Sequence, residues 1–385
     1  MTGRQLRGHS TSTSRWRFAW RDIWSEWRNR LLASSRFHHW ASRFPLTRPI
    51  ARKRAQSLFD LCAGFVYSQV LLACVQLRLF EFLAAGPQSL ATLTPKLSLT
   101  EDGATRLLDA AVALELAEKR GPELYGLGPL GAVIVANDGI EAMVRHHPML
   151  YEDLLDPLPL LRGEAGPTRL GQYWPYAESQ HASNLDSEQV SPYSELMAAS
   201  QTLIAQEVLN TYSLRRHRCL LDVGGGGGAF LAAVAARWPD LRLMLFDLPA
   251  VVEQSETRLA QIEPQDRVRA VGGDFFSDPL PEGADIISLV RIIHDHDDAD
   301  VLRLLQSIRR SLPRGGTLLL AEPMAGHSDT DRVAHAYFGF YLMAMGKGRA
   351  RSPEEIGGLL QQAGFNRHRL LSNGMPLQTR VMVAS

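Results

Sequence analysis

Apolar residues recur at helical spacing through the first half of the chain and collect into short runs in the second. Leu58–Leu72 follows a helical period, and the string at 77–87, LRLFEFLAAGP, reads as a helix ended by Gly86-Pro87. Ser89–Leu97 reads as a short helix. Thr100 is placed to cap the next, with Glu101 and Asp102 in its first turn. Arg106–Lys119 is amphipathic, and Gly121-Pro122 turns 118–127 into a hairpin. Helix, helix and hairpin together make a winged-helix pattern. Residues 131–215 read as largely helical, interrupted by a proline-rich patch from Pro157 to Pro167. An aromatic cluster follows (Tyr173, Trp174, Tyr176), then an apolar-faced helix over Ser194–Leu209.

From Cys219 the pattern changes. Short apolar runs end at Val223, Asp247, Val271, Val290 and Ala321. They alternate with helices over Ala229–Arg237, Pro249–Gln261, Asp298–Leu312 and the capped Ser352–Gly364, and strands Asn366–Leu371 and Gln378–Ala384 close the chain. This is the pattern of an α/β, doubly wound, Rossmann-like domain behind a mainly α, winged-helix-like one, with ligands expected at the strand C-termini. Asp222, Gly224, Asp247, Asp274, Arg291, His294 and Glu322 all fall at or just past such ends.

The loop after the first run is five glycines, Gly224 to Gly228. Glycine lets backbone approach a ligand closely, and the helix that follows offers free N–H groups. Asp247 is placed to accept both hydroxyls of a ribose. Asp222, Gly224 and Gly226 are the loop's own candidates for cofactor contact. The layout serves NAD or S-adenosylmethionine. Asp274 beside Phe275 suits an adenine amino group and ring, and too little chain follows Glu322 for a second mononucleotide half. Both points favour S-adenosylmethionine.

His294 opens the string HDHDD just beyond a strand tip, where an imidazole can act as general base. Glu322, at the next strand end, is placed to hold its other nitrogen. Arg291 contacts the cofactor or balances acids. His296 reads as a surface or capping residue, and Asp297 and Asp298 as the start of the following helix, which leaves no metal site.

Charge adds a third region. The 385 residues carry 41 basic and 41 acidic side chains, but residues 1–56 hold 13 Lys/Arg against 2 Asp/Glu. Trp16, Trp20, Trp24 and Trp27 line one helix face in this basic segment. Such an arm suits a membrane interface, or packs its Trp stripe on the body or a second subunit. Leu61–Leu77 reads as a buried helix at a domain or subunit core, not a membrane span. Cys62, Cys74 and Cys219 are scattered in apolar runs, which indicates a reducing compartment. The expected recognition helix of the winged unit, Thr105–Glu118, holds three acids and one Arg, so it reads as a packing element and not as a nucleic-acid reader.

The motifs DVGGGGG, FDLP, GGDFF, HDHDD and LLLAEP resemble, in order and spacing, those of class II S-adenosylmethionine-dependent O-methyltransferases over residues 57–385. The resemblance implies a winged-helix-like dimerisation domain, a homodimer and a Rossmann-like catalytic domain. It places Gly224 by the cofactor's methionine, Asp247 at its ribose, and Asp274 with Phe275 at its adenine. It makes His294 the catalytic base and Glu322 the acid that orients it. Arg291 stands where the family usually has lysine, His296 where it has tryptophan, and Ala350 where a second acid should flank the base. The strings RFPLTRPIARKRAQSLFDLCAGFVYSQVLLACVQLRLF and GRARSPEEI are similar to the carotenoid branch, whose members methylate acyclic hydroxycarotenoids of the hydroxyneurosporene or demethylspheroidene type.

The resulting expectation has three parts: a basic Trp/Arg arm (1–50), a helical dimerisation and substrate-lining part (51–215), and a catalytic part (216–385). The acceptor is an apolar hydroxylated small molecule. The location is cytoplasmic or at the inner face of a membrane, with no nucleic-acid partner. Methylation of a phenol or other secondary metabolite, a winged-helix regulator and an NAD oxidoreductase are the competing readings.

Overall fold

The computed structural model describes residues 23–173, 201, 203–326, 332–374 and 379–385. The chain divides between Ala73 and Cys74 into two compact units. In the first, a helix over 23–32 is followed by Ser35–Arg43, whose cap Ser34 accepts from the Phe37 N–H, and by Arg48–Gln76, a helix that runs on past the division. Trp24, Trp27, Trp40, Phe44 and Leu46 stand exposed, and Trp40 stacks on Phe44 at 5.1 Å between centroids. Trp16 and Trp20 lie outside the described residues. The stretch expected to be buried, Leu61–Leu77, is buried only in its second half within this single chain: Leu61 and Phe65 are 71% and 72% exposed, whereas Leu72, Cys74 and Val75 are buried. Among the described residues, Arg48–Gln76 is the one helix long and apolar enough by composition to cross a membrane.

In the second unit, Arg78 adopts φ 57° and breaks the expected helix, so Leu79–Ala84 begins afresh. Leu90–Lys96 is capped by Ser89, and Glu101–Ala113 by Thr100. The latter helix stops five residues before the expected Glu118. Glu115 turns left-handed at φ 59°, and Glu118 and Lys119 belong instead to a strand. That strand, β2 (Ala117–Lys119), pairs with β3 (Leu124–Leu127), which pairs with β1 (Gln88–Ser89) to complete the wing. The acids of this region are engaged locally, Asp102 by Arg106 and Asp109 by Lys119, each at 2.8 Å.

The main sheet has seven strands: β4 (Cys219–Val223), β5 (Arg242–Asp247), β6 (Val268–Gly272), β7 (Ile286–Val290), β8 (Thr317–Glu322), β9 (His368–Leu370) and β10 (Arg380–Ala384), in the order β6-β5-β4-β7-β8-β10-β9. β4 to β8 are parallel, and β10 runs antiparallel between β8 and β9. The central strands are covered on both faces, which is why they read as unbroken apolar runs. Leu221, Val223, Ile287 and Leu289 pack with Val301, Leu304, Leu305 and Ile308 of helix Asp298–Ser311. Leu220, Leu243, Leu245 and Ile286 pack on the other side with Phe230, Leu231 and Val234 of helix Ala229–Arg237. Each such side chain contributes about 2 kcal/mol. Strand order reverses beside β4: β5 and β6 build to one side of it, β7 and β8 to the other. The crevice beyond the ends of β4 and β7 is therefore where this topology leaves room for a ligand.

Candidate active site

The glycine loop leaves β4 at that crevice. Gly224, Gly226 and Gly228 adopt φ of 69°, 57° and 74°, which side chains resist. The two between them are short of space, Gly225 severely so. A Cβ on Gly225 would lie 2.4 Å from Leu245 and 2.5 Å from Asp222 Oδ2, and one on Gly227 would lie 2.9 Å from the Arg258 guanidinium. Four of the five positions thus have their own reason for glycine, while at Gly227 only a flexible arginine tip would have to give way. Asp247, at the tip of β5, accepts from the Gly226 N–H at 2.7 Å and the Leu248 N–H at 2.8 Å, one on each oxygen. Each oxygen keeps further acceptor capacity. Asp222 accepts from Ser288 Oγ at 2.6 Å, while its Oδ2 is buried with no partner. Burial raises Asp222 to about 7 and Asp247 to about 6.

Past β6, Asp274 accepts from the Phe276 N–H at 2.8 Å. Phe275 and Phe276 meet edge to face at 4.6 Å, and His296 stands edge-on to both, at 5.7 and 5.0 Å. His296 closes a short turn as a capping residue would, and it is half-buried there. Burial lowers it to about 4, so it packs as a neutral aromatic.

Past β7, the chain makes a 3-10 turn, Ile293–Asp295, that carries His294. Arg291 enters it at φ 60° and donates its N–H to the Ala321 carbonyl of β8. Glu322, 1% exposed at the end of β8, reaches across. Its Oε1 accepts from the Ile292 and Ile293 N–H groups, both at 2.8 Å, and its Oε2 lies 2.8 Å from His294 Nδ1. A carboxylate only accepts, so Nδ1 carries the proton and the neutral ring presents a lone pair at Nε2. Asp295 Oδ1 sits 3.0 Å from Nε2 without hydrogen-bond alignment. Burial works against a charged His294, but Asp295 and Glu322 outweigh it, and the imidazole is raised above its ordinary value. Burial raises Asp295 itself to about 6.

A wall of rings faces this base. Helix Asp138–Asp153 and the helical segment 332–345 are tied by two imidazole–phenol pairs, His146 to Tyr341 and His147 to Tyr337, each at 2.9 Å. His146 Nδ1 lies 2.9 Å from the Met143 carbonyl, so it donates there and Nε2 accepts from Tyr341. Phe338 brings the wall to within 5.8 Å of the His294 ring. Desolvation lowers both histidines, His147 to about 4, and raises Tyr337, so the wall is uncharged. The Arg291 charge is felt at His146, Tyr337, His294 and Asp295, so it lies within electrostatic reach of both base and wall.

Residues 171–366 match the O-methyltransferase domain family, and residues 59–137 match the O-methyltransferase dimerisation domain family. The chain belongs to the class II S-adenosylmethionine-dependent O-methyltransferases. It is 43% identical over 339 residues to demethylspheroidene O-methyltransferase of Rhodobacter capsulatus, covering 88% of this chain and 84% of that one. It is 42% identical over 355 residues to the enzyme of the same name from Cereibacter sphaeroides, covering 92% and 93%. The fold matches human N-acetylserotonin methyltransferase in complex with SAM, with TM-score 0.72 and 24% identity over 86% of this chain and 97% of that one.

The methyltransferase has a site that fits its cofactor. The orphaned Asp222 oxygen and the half-used Asp247 carboxylate suit a ligand that is cationic and rich in donors, and repel a pyrophosphate. A Cβ on Gly226 would meet nothing within 4 Å, so the loop leaves open space there. The dimerisation domain implies a homodimer. Asp222, Gly224, Gly226, Asp247, Asp274, Phe275, Arg291, His294 and Glu322 all lie at the carboxyl edge of β4 to β8.

Sequence reasoning missed Asp295 as a neighbour of the base, Arg351 behind it, and the ring wall. The strings HHP and YFGFY were the available signal for the wall, but neither shows which ring meets which. Of the aromatic cluster, Tyr173 stacks near His146, while Trp174 and Tyr176 lie outside the described residues. The apolar-faced helix expected from Ser194 is described only from residue 201.

Proposed function

We propose that this methyltransferase methylates the hydroxyl group of an acyclic hydroxycarotenoid, with His294 as general base. The observation that carries the reading is His294, held at Nδ1 by Glu322 and bordered by an uncharged ring wall whose polar atoms bond one another. Such a wall offers an apolar chain contact area without leaving buried donors unmet. The relatives named for demethylspheroidene support the same acceptor class.

Bound S-adenosylmethionine supplies an electrophilic methyl group on its sulfonium. Asp222 and the Gly224–Gly226 backbone hold its amino-acid end, Asp247 its ribose, and Asp274 with Phe275 its adenine. Arg291 contacts the cofactor or balances the acids beside the base. His294 Nε2 takes the hydroxyl proton as the oxygen bonds the methyl carbon, whose bond to sulfur breaks with its electron pair left on a neutral thioether, and Glu322 stabilises the resulting imidazolium. An aliphatic alcohol is a weak acid, so proton removal accompanies bond formation, and alignment supplies much of the rate.

The division into 1–50, 51–215 and 216–385 belongs to this proposal. So does a cytoplasmic site of action at the inner membrane face. Exposed Trp24, Trp27 and Trp40 among Arg28, Arg30, Arg36 and Arg43 suit an anionic lipid surface.

The test is methyl transfer from labelled cofactor to an acyclic hydroxycarotenoid and, separately, to phenols. Transfer to the carotenoid, lost in His294→Ala with cofactor binding kept, is the expected result. Transfer to phenols alone refutes the acceptor, and full turnover by His294→Ala refutes the base. Sedimentation with anionic and neutral vesicles tests the arm, and equal binding to both, or to neither, refutes it.

A further inference from the structure

We propose that Arg351 is a positioning residue that holds the His294 turn in register from behind. This rests on the base assignment above and deepens it. Arg351 is 2% exposed, and it is among the largest fully buried side chains of the described residues. Burying a guanidinium is unfavourable unless its donors are met, and these are met by the catalytic turn. Nη1 donates to the Ile293 carbonyl at 2.5 Å and Nη2 to the His296 carbonyl at 2.6 Å. Nε donates to Asp298 Oδ1 at 2.8 Å. Ile293 precedes the base and His296 follows Asp295, so one rigid fork spans both ends of the turn.

Glu322 grips the opposite side. It takes the N–H groups of Ile292 and Ile293, while Arg351 takes the carbonyls of Ile293 and His296. Ile293 is therefore held at both ends, its N–H by an acid from β8 and its C=O by a base from the segment after residue 347. A 3-10 turn of three residues has almost no hydrogen bonding of its own to fix it. Its geometry, and with it the direction of Nε2, is set by these two side chains.

The segment itself is pressed against the turn. Gly348 adopts φ 82°, and a Cβ there would lie 2.2 Å from the His294 carbonyl oxygen. Its N–H donates to Asp297 at 3.3 Å. Arg349 anchors the strap further, to Asp298 at 3.0 Å and Glu355 at 2.7 Å. Ala350 brings no polar side chain, so Arg351 is the strap's side-chain hold on the carbonyls of the turn. Lysine cannot replace it, because one ammonium cannot match a planar fork aimed at carbonyls on either side of the base.

The experiment compares Arg351→Lys, Arg351→Ala, Asp298→Asn and His294→Ala as full-length enzymes. Readouts are kcat, acceptor KM, cofactor Kd and the pH profile. A displacement of the base by about 1 Å lowers kcat by about 100-fold. Arg351→Lys should show a loss of that order, with cofactor Kd and acceptor KM within about twofold of the parent. The rising limb of its pH profile should move down towards an ordinary imidazole. Added guanidinium ion should restore part of the Arg351→Ala activity. If Arg351→Ala does not fold, Arg351→Lys and Asp298→Asn decide, the latter with a smaller loss of the same kind. Parental kcat in Arg351→Lys, or loss of kcat and cofactor affinity together, overturns the proposal. Parental turnover by His294→Ala overturns the base assignment and this inference with it. An inactive His294→Ala beside a fully active Arg351→Lys overturns this inference alone.

Discussion

Glu322→Gln changes one heavy atom and should reverse the tautomer of the base. The glutamine amide has two ways to sit. With its oxygen at the Oε1 position it keeps the Ile292 and Ile293 N–H bonds, both 2.8 Å in the parent, and turns its NH2 towards His294 Nδ1. The flipped amide aims its donors at those two N–H groups. Leaving each of these buried donors unmet costs about 1–3 kcal/mol, so the first orientation is preferred by roughly 2–6 kcal/mol. In that orientation Nδ1 must accept, and the proton moves to Nε2. Asp295 Oδ1, 3.0 Å from Nε2, adds an electrostatic preference for a proton on that nitrogen. The nitrogen that should take the acceptor's proton is then already protonated. A wrong-tautomer histidine in another enzyme class costs about 10⁴ in kcat, which is about 5.4 kcal/mol of barrier. The assay is labelled methyl transfer at saturating acceptor and cofactor, with cofactor Kd by calorimetry. Expected are a kcat loss of about 10³–10⁴ and an unchanged Kd. A kcat within tenfold of the parent refutes the tautomer argument. A parallel collapse of cofactor binding shows that Glu322 acts on the fold instead.

Other consequences are as direct. The methylation rate should rise with pH through an apparent value above 6.5, because His294 is raised and only its neutral form accepts a proton; a limb at or below 6.5 contradicts the ion-pair geometry. In the cofactor-free protein, Asp222, Asp247 and Asp295 titrate above their ordinary 3.8, at about 7, 6 and 6, and His294 is raised as well. Folded values above unfolded ones give stability that is full below the unfolded values and lost as pH rises to the folded ones, so the aspartate part of Tm should fall from about pH 4 to about pH 7 by calorimetry. Asp247→Ala should weaken cofactor binding by at least about 10-fold, since it removes the ribose acceptor and frees the Gly226 and Leu248 N–H groups; unchanged Kd in titration calorimetry contradicts its role. In the ring wall, Tyr337→Phe strands His147 and should cost about 1–2 kcal/mol of stability. The pair His147→Phe with Tyr337→Phe should recover much of that loss in denaturant melts, and a larger loss for the pair argues against mutual satisfaction.

Local patterning determined much of this protein. Strands β4 to β8 are covered on both faces, so they had to be apolar runs, and the helices between them carry one apolar face. Parallel strands carry the chain's polar punctuation to a single edge, which is why Asp222, Asp247, Asp274, His294 and Glu322 were visible as one group. The five glycines were legible as a ligand loop, though not which of them answer a conformational demand and which a steric one. Element ends were less legible. The helix after Thr100 stops at Ala113 because Glu115 turns left-handed, and nothing in the amphipathic period announces that. What only the tertiary structure decided is which groups meet across long separations. The Ile293 peptide is gripped by side chains 29 and 58 residues away, and His147 finds Tyr337 across 190 residues. Periodicity reports which face of an element is buried. It carries no record of what that face is buried against, and the direction of a catalytic lone pair depends on such partners.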